Sequence, residues 1–164
     1  MPKIDHSIEI NASRDRLWEI ISDVDNECVY WWGTKAIKNI SKDGEVIIRD
    51  ITQNFGNRKI RQRVILHPKD SVEIQYVKGI TEGVKLLSIE SVGENKQNLR
   101  AYWDVTFSGV LKVATPIIKS HVEKGTLGAL QRIKEAAEKK GGGEDNRIDS
   151  ATSATSASFS SLAA

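Results

Sequence analysis

The stretch from Val113 to Lys139 carries the clearest helical pattern in the chain. Apolar residues recur there at the spacing of one helix face, namely Leu127, Leu130, Ile133 and Ala137. Lysines and glutamates occupy much of the opposite side. An amphipathic helix of this length needs a broad apolar surface to pack against. The pattern therefore predicts a long C-terminal helix that lies on a sheet formed by earlier residues.

The first 33 residues predict one strand followed by two short helices. Apolar and polar residues alternate from Ile4 to Asn11, which is typical of a half-buried strand. Asn11 or Ser13 can then cap a helix whose apolar residues fall at helical spacing, namely Leu17, Ile20, Ile21 and Val24. We expect a second short helix to run through Trp32 and to end at Gly33.

From Thr34 onward the hydrophobic period is two, which predicts strands near residues 34–41, 44–53, 58–67, 71–78, 84–92 and 97–108. Short segments rich in Gly, Asn, Asp and Pro separate most of these strands. Such short connections join antiparallel neighbours. The predicted order, β-αα-β6-α, is an α+β fold in which a curved seven-stranded antiparallel sheet wraps around the long C-terminal helix.

Composition narrows the class of protein. With 164 residues, 28% of them charged and 39% hydrophobic, the chain has the size and balance of one globular domain. No apolar run approaches the roughly 18 residues that cross a bilayer, and the N-terminus lacks the apolar segment of a signal peptide. A single cysteine, Cys28, forms no internal disulfide, which favours a reducing, cytoplasmic location. The net charge of +2 is too small to indicate nucleic-acid binding.

The character of the chain changes after Lys140. Three glycines, 141–143, precede a polar run dominated by Ser, Ala and Thr. Such a segment buries too little apolar surface to offset the entropy of ordering. The sequence therefore predicts a folded domain over residues 1–140 and a disordered tail over residues 141–164.

The junction between the first strand and the first helix carries a family resemblance. Ile10-Asn11-Ala12-Ser13 and Leu17-Trp18 match the pattern I-x-A-[PS]-x-x-x-[VL]-[WF], and Trp31-Trp32 end the second short helix. With the order of elements, these residues resemble the START-like (SRPBCC) superfamily, the helix-grip fold of the major birch pollen allergen. The similar branch is the polyketide cyclase/dehydrase and coenzyme-Q-binding group. Its Gly-Thr-x-Val pattern is replaced here by residues 97–101. The resemblance spans residues 4–139 and implies the fold more specifically than an activity.

A strongly curved sheet has a concave face that one helix, about 10 Å wide, does not fill. We therefore expect a cavity between sheet and helix, and ligand cavities are mostly apolar with a few placed polar groups. The candidate ligand-binding residues come from three places: the inward positions of the strands, the two tryptophans near the mouth, and the start of the long helix. They are Trp31, Trp32, Arg49, Ile51, Ile74, Tyr76, Trp103, Val105, Phe107, Ile117 and His121.

The polar candidates leave alternatives open. Arg49 points inward if Ile47 and Ile51 do, and it then needs an anionic partner; otherwise it is solvated. His121 points inward or lies at the rim. Tyr76 and Tyr102 can each donate a hydrogen bond to a keto or quinone oxygen. Ordinary core packing explains each of the apolar candidates equally well when it is taken alone.

The sequence contains no motif typical of a metal site or of nucleophilic catalysis. The three histidines lack the spacing of a zinc site, and no phosphate-binding glycine loop or nucleophile elbow is present. An acidic group after the first helix, Asp23, Asp25 and Glu27, fits a solvated helix end better than a metal site. We predict no metal and no cofactor.

Three residues of the long helix are unusual for their position. Pro116 marks the first turn or a kink. Gly125 and Gly128 each cost about 1 kcal/mol relative to alanine in a helix interior. The two glycines have three alternative explanations: a close approach of the sheet, room for a ligand, or a loosened helix. If the first segment of the helix is mobile, it gives a ligand its path of entry.

Three functional hypotheses follow. The first is a carrier or sensor that binds an apolar small molecule such as a lipid, quinone or polyketide-like compound. The second is an aromatase/cyclase-type enzyme that uses His121 or Tyr76 as an acid or base. The third is a protein-recruiting module that uses the basic strand containing Lys59, Arg61 and Arg63, with Arg49 as a possible neighbour. We expect no nucleic-acid partner and no obligate protein partner, and a transient membrane contact is possible.

Overall fold

Seven strands pair into one antiparallel sheet in the computed structural model of the chain, which describes residues 3–139. The strands are β1 Lys3–Ile10, β2 Thr34–Asp43, β3 Val46–Gln53, β4 Lys59–His67, β5 Ser71–Lys78, β6 Thr81–Gly93 and β7 Lys96–Phe107. The α-helices are α1 Arg14–Ser22 and α2 Thr115–Glu138, and two short 3₁₀ segments cover Val24–Val29 and Gly109–Lys112.

The sheet order is β1-β7-β6-β5-β4-β3-β2, so six consecutive strands form a meander and β1 joins its far end. Every neighbouring pair is antiparallel, and within the meander β2–β7 the short connections require it. The pairing of β1 with β7 sets Ile4 opposite Trp103 and so brings the first strand beside the last. The predicted α+β helix-grip architecture, β-αα-β6-α, is confirmed.

One face of the sheet is buried against the helices, and the period of two along each strand selects the residues that lie there. On β3 these are Ile47, Arg49 and Ile51, and on β7 Leu99, Ala101 and Val105. They pack with the apolar side of α1 and with the second half of α2. Each fully buried Leu or Ile contributes about 1.5–3 kcal/mol relative to its exposed state.

The first helix begins as predicted, because the Ser13 hydroxyl accepts a hydrogen bond from the Arg16 backbone N–H. The second helix is shorter than expected. It is a 3₁₀ segment, Val24–Val29, with non-helical backbone at Asn26. The backbone N–H groups of Tyr30 and Trp31 both donate to the Glu27 carbonyl oxygen, which closes the segment before Trp32.

The long helix has two unlike halves. Its buried residues all lie from Thr126 onward: Thr126, Ala129, Leu130, Ile133 and Ala137. In the first half, which follows Pro116 in the first turn, Ile117 is 74% exposed. A Cβ added at Gly125 would meet no atom beyond the helix itself within 4 Å, and one at Gly128 would meet only the Arg132 guanidinium at 3.1–3.5 Å. The sheet therefore does not approach α2 closely at either glycine, contrary to the first of the three explanations.

Within residues 3–139 no helix combines the length and the apolar character needed to cross a membrane. The predicted tail, 141–164, lies outside the described residues.

Candidate functional site

A buried ion pair occupies the inner face of β3. The Arg49 side chain is fully buried, and its guanidinium donates to the Gln62 side-chain oxygen (2.9 Å), the Val24 carbonyl oxygen (3.0 Å) and Glu27 Oε1 (2.9 Å). Arg49 therefore points inward, and Glu27 is its anionic partner. The expectation that Glu27 belongs to a solvated acidic group is wrong, because the 3₁₀ segment turns its side chain onto the sheet. Several hydrogen bonds offset the desolvation of both charges.

Lys85 lies on the same inner face, on β6, and is 3% exposed. Its Nζ atom lies 3.1 Å from the centroid of the Trp31 ring and 4.8 Å from that of Trp103. Among the described residues the Lys85 amine has no hydrogen-bond or ion-pair partner. Burial lowers its pKa to about 7, with Glu27 opposing and Arg49 adding to the change. Lys85 is therefore uncharged at neutral pH far more often than an exposed lysine is.

Aromatic rings surround this amine. Trp103 and Tyr76 stack with ring centroids 6.2 Å apart, and Trp31 meets the edge of Trp103 at 6.2 Å. The buried Trp103 indole N–H finds no acceptor within the described residues. Burial, followed by the charge of Glu27, raises the pKa of the Tyr76 hydroxyl. Tyr76 consequently stays protonated and serves as a hydrogen-bond donor, not as a base.

A cavity of about 20 Å³ adjoins Lys85. Its walls come from α1, the 3₁₀ segment, β5, β6 and α2, and include Ile20, Glu27, Trp31, Ile74, Lys85 and Ile133. This volume holds about one water molecule. The roomy hollow expected from the sequence is thus nearly closed in this conformation, because inward side chains of the sheet and Trp31 occupy it.

The structure separates the eleven predicted site residues into two groups. Six are buried on the inner side, namely Trp31, Arg49, Ile51, Ile74, Tyr76 and Val105, and Trp103 and Phe107 pack against them half-buried. Three are exposed: Trp32, Ile117 and His121. Trp32 lies under the Arg132 guanidinium at 3.7 Å, and the His121 ring packs against Phe55 with centroids 5.8 Å apart. The first group forms a common interior, and the second lies outside it.

The basic side chains of β4, those of Lys59, Arg61 and Arg63, lie on the face of the sheet that is opposite this interior. Arg61 binds both carboxylate oxygens of Asp50, at 2.8 and 3.0 Å, and this hydrogen bonding lowers the pKa of Asp50. Arg63 donates to the Gln75 side-chain oxygen at 3.3 Å. The expectation that Arg49 extends the stripe is wrong, because Arg49 projects from the opposite face of its strand. Asp50 thus neutralises part of the stripe.

Sequence reasoning missed Lys85. Along β6 the residues Lys85, Leu87 and Ile89 share the buried phase. That alternation was visible in the sequence and places Lys85 inward with the two apolar residues. The partners of Arg49 were less visible, since they come from β4 and from the 3₁₀ segment. Within the described part of the chain no cluster of His, Cys, Asp and Glu could hold a metal ion.

Comparisons with known proteins agree with this architecture. The ZhuI aromatase/cyclase from Streptomyces sp. R1128 superposes with a TM-score of 0.68 at 13% identity, over 84% of this chain and 94% of that chain. The di-domain aromatase/cyclase StfQ of the steffimycin pathway superposes with a TM-score of 0.71 at 12% identity, over 86% of this chain and 52% of that chain. TTHA0849 from Thermus thermophilus gives a TM-score of 0.65 at 11% identity, over 83% and 97% of the two chains. These likenesses show the fold.

No functionally curated protein matches the sequence. A family model described as polyketide cyclase / dehydrase and lipid transport matches residues 1–138. This match covers nearly all of the residues that the structure describes, and it includes the inner face on which Arg49 and Lys85 lie. The chain therefore belongs to the polyketide cyclase/dehydrase and lipid transport family.

Proposed function

We propose that this domain binds an apolar small molecule between the sheet and α2, with one polar group of the ligand held beside Lys85. One observation carries the proposal: within residues 3–139 the buried Trp103 indole N–H has no acceptor, and the buried Lys85 side chain beside it lines an apolar cavity. Each buried donor without a partner costs about 1–3 kcal/mol. A ligand that supplies an acceptor recovers this energy and adds apolar burial.

Ligand entry requires an opening, since the cavity beside Lys85 measures about 20 Å³. The first half of α2 is the element suited to move. None of its side chains before Thr126 is fully buried, and Ile117 faces outward. Its His121 ring rests on Phe55 of the β3–β4 loop. Because few apolar contacts hold this half, we expect it to lift at small cost while the second half stays anchored.

The experiment is native mass spectrometry of the protein purified from its own host, followed by titration with dodecan-1-ol. We expect a retained or titratable apolar molecule, with the intrinsic tryptophan emission changing on binding because Trp31 and Trp103 surround the site. Lys85→Met should weaken the binding of the alcohol. Lys78→Met, at an exposed position on β5, serves as the matched control and should leave it unchanged. Absence of any bound apolar molecule in both measurements would contradict the proposal.

A second candidate is cyclase-type catalysis on a polyketone. The observation that favours it is the buried position of Lys85 on the cavity wall, and its pKa of about 7 suits proton transfer at neutral pH. Of the acid/base candidates expected from the sequence, His121 is exposed and Tyr76 stays protonated. The test is hydrogen–deuterium exchange at the central carbon of a 1,3-diketone. The protein should accelerate exchange, and Lys85→Met should abolish the acceleration; equal rates with and without protein would exclude it.

A further inference from the structure

The surroundings of Lys85 fit a nucleophile better than a simple counter-charge. The residue lies within β6, paired with Ile74 of β5 on one side and Trp103 of β7 on the other. Its side chain runs into the interior between two indole rings and reaches the wall of the cavity. We propose that Lys85 forms an imine with the carbonyl carbon of an apolar aldehyde or ketone. This inference rests on the proposed binding of an apolar molecule at the same site.

The charged and titratable groups that face Lys85 leave its amine available. Glu27, from the 3₁₀ segment, favours the ammonium form but is itself bound to Arg49. Arg49, from β3, disfavours the ammonium form. Asp23 lines the cavity, and Tyr76, from β5, stays protonated. Burial is the largest influence and brings the pKa to about 7.

The uncharged amine is the reactive form in imine chemistry, and desolvation in an apolar pocket is a known way to produce it. A lysine with an ordinary pKa near 10.5 is almost entirely protonated at pH 7, whereas the lowered pKa of Lys85, about 7, leaves a substantial part of its amine uncharged. Lys85 therefore has a much larger reactive fraction than an exposed lysine at this pH.

The reaction balances without a further reagent. As the lone pair of Nζ bonds to the carbonyl carbon, the C=O π bond breaks, and one Nζ proton passes to the oxygen, which becomes the hydroxyl of a carbinolamine. Loss of that hydroxyl with the remaining nitrogen-bound hydrogen gives C=N and one molecule of water. Nothing is oxidised or reduced.

The carbonyl oxygen needs a hydrogen-bond donor while this happens. Trp103, the register partner of Lys85 on β7, has a buried indole N–H with no acceptor in the described residues. The remainder of the ligand meets apolar side chains of the cavity wall, including Ile20, Ile74 and Ile133. These features specify a carbonyl on an apolar chain, and they disfavour a ligand with several charges.

The test uses the full chain, dodecanal at limiting concentration and sodium cyanoborohydride, which reduces an imine to a stable secondary amine. Intact-mass and peptide mapping should place a single dodecyl group on Lys85, at least about tenfold above the exposed Lys78. Lys85→Arg and Lys85→Met should lose this adduct, and Lys78→Arg should keep it. Dodecan-1-ol, which has no carbonyl, should compete.

The outcomes separate this inference from the proposed function. If dodecan-1-ol binds but the dodecyl groups spread over exposed lysines, or persist in Lys85→Met, imine formation is overturned and apolar binding stands. If neither dodecan-1-ol nor dodecanal binds, both proposals are overturned. If the adduct forms on Lys85 and the alcohol suppresses it, both are supported.

Discussion

Replacement of Lys85 by methionine tests the physical state of the buried amine directly. Methionine has a similar length and no charge, so Lys85→Met keeps most of the packing against Trp31 and Trp103. The substitution removes the free-energy cost of burying the ammonium charge. That cost lowers the pKa of Lys85 from its ordinary value of 10.5 to about 7. A pKa change of this size corresponds to about 5 kcal/mol of lost stability in the charged form.

The sign follows from proton binding. Between pH 7 and 10.5 the unfolded chain keeps the Lys85 proton while the folded chain has largely released it. Because the unfolded state then binds more protons, the free energy of unfolding rises with pH in this window. Below pH 7 both states are protonated and the destabilisation is present in full. For the wild-type chain the contribution of Lys85 should improve by about 2 kcal/mol between pH 7 and pH 9.

The assay is urea unfolding followed by far-ultraviolet circular dichroism at pH 7, 8 and 9, at constant ionic strength. The quantity of interest is the free energy of unfolding of Lys85→Met minus that of the wild type. We expect this difference to be positive at pH 7 and to shrink by about 2 kcal/mol at pH 9. Lys78→Met, at an exposed site, should give a difference that does not change with pH. A constant difference for Lys85→Met would show that the amine keeps an ordinary pKa and would refute the reasoning.

Two further substitutions test the packing around the site, each with a matched control. Glu27→Gln leaves Arg49 buried without its counter-charge and should lower the free energy of unfolding by about 3–5 kcal/mol in urea titrations; Glu19→Gln, in an exposed pair, should change it by less than about 1 kcal/mol. Gly83→Ala drives a Cβ into the Asp104 backbone oxygen of β7 at a φ of +126° and should lower the melting temperature sharply. Gly125→Ala, in open space on α2, should raise stability by about 1 kcal/mol. Equal effects of the two glycine substitutions would contradict the assigned strand register.

The order and direction of the strands could be read from the sequence because two local signals coincide there. The hydrophobic period of two marks each strand, and short turns such as the one at Gly44, which adopts a φ of +59°, force neighbours to be antiparallel. The start of α2 was predicted within two residues, since Pro116 fits only the first turn of a helix. These features depend on a few neighbouring residues, which is why one sequence suffices to find them.

The site depends on residues that are distant in the chain, and here the sequence left more open. The phase of β3 was undecided between Arg49 inward and Arg49 solvated, because the partner that stabilises the buried guanidinium, Glu27, is 22 residues away. The pattern of apolar positions also could not predict the size of the cavity. This size depends on how far Trp31 reaches over the sheet, which the 3₁₀ geometry of Val24–Val29 decides.

The two buried cations of the inner face have different roles, and a chain of contacts connects them. Arg49 binds both the Val24 carbonyl and the Glu27 carboxylate, so it fixes the 3₁₀ segment on the sheet. The Glu27 carbonyl in turn accepts the Trp31 N–H at 2.7 Å, and the Trp31 ring covers the Lys85 amine. The paired cation thus positions the indole that shields the unpaired one from water. Because that shielding lowers the pKa of Lys85, the ion pair on β3 helps to prepare the amine on β6 for a ligand.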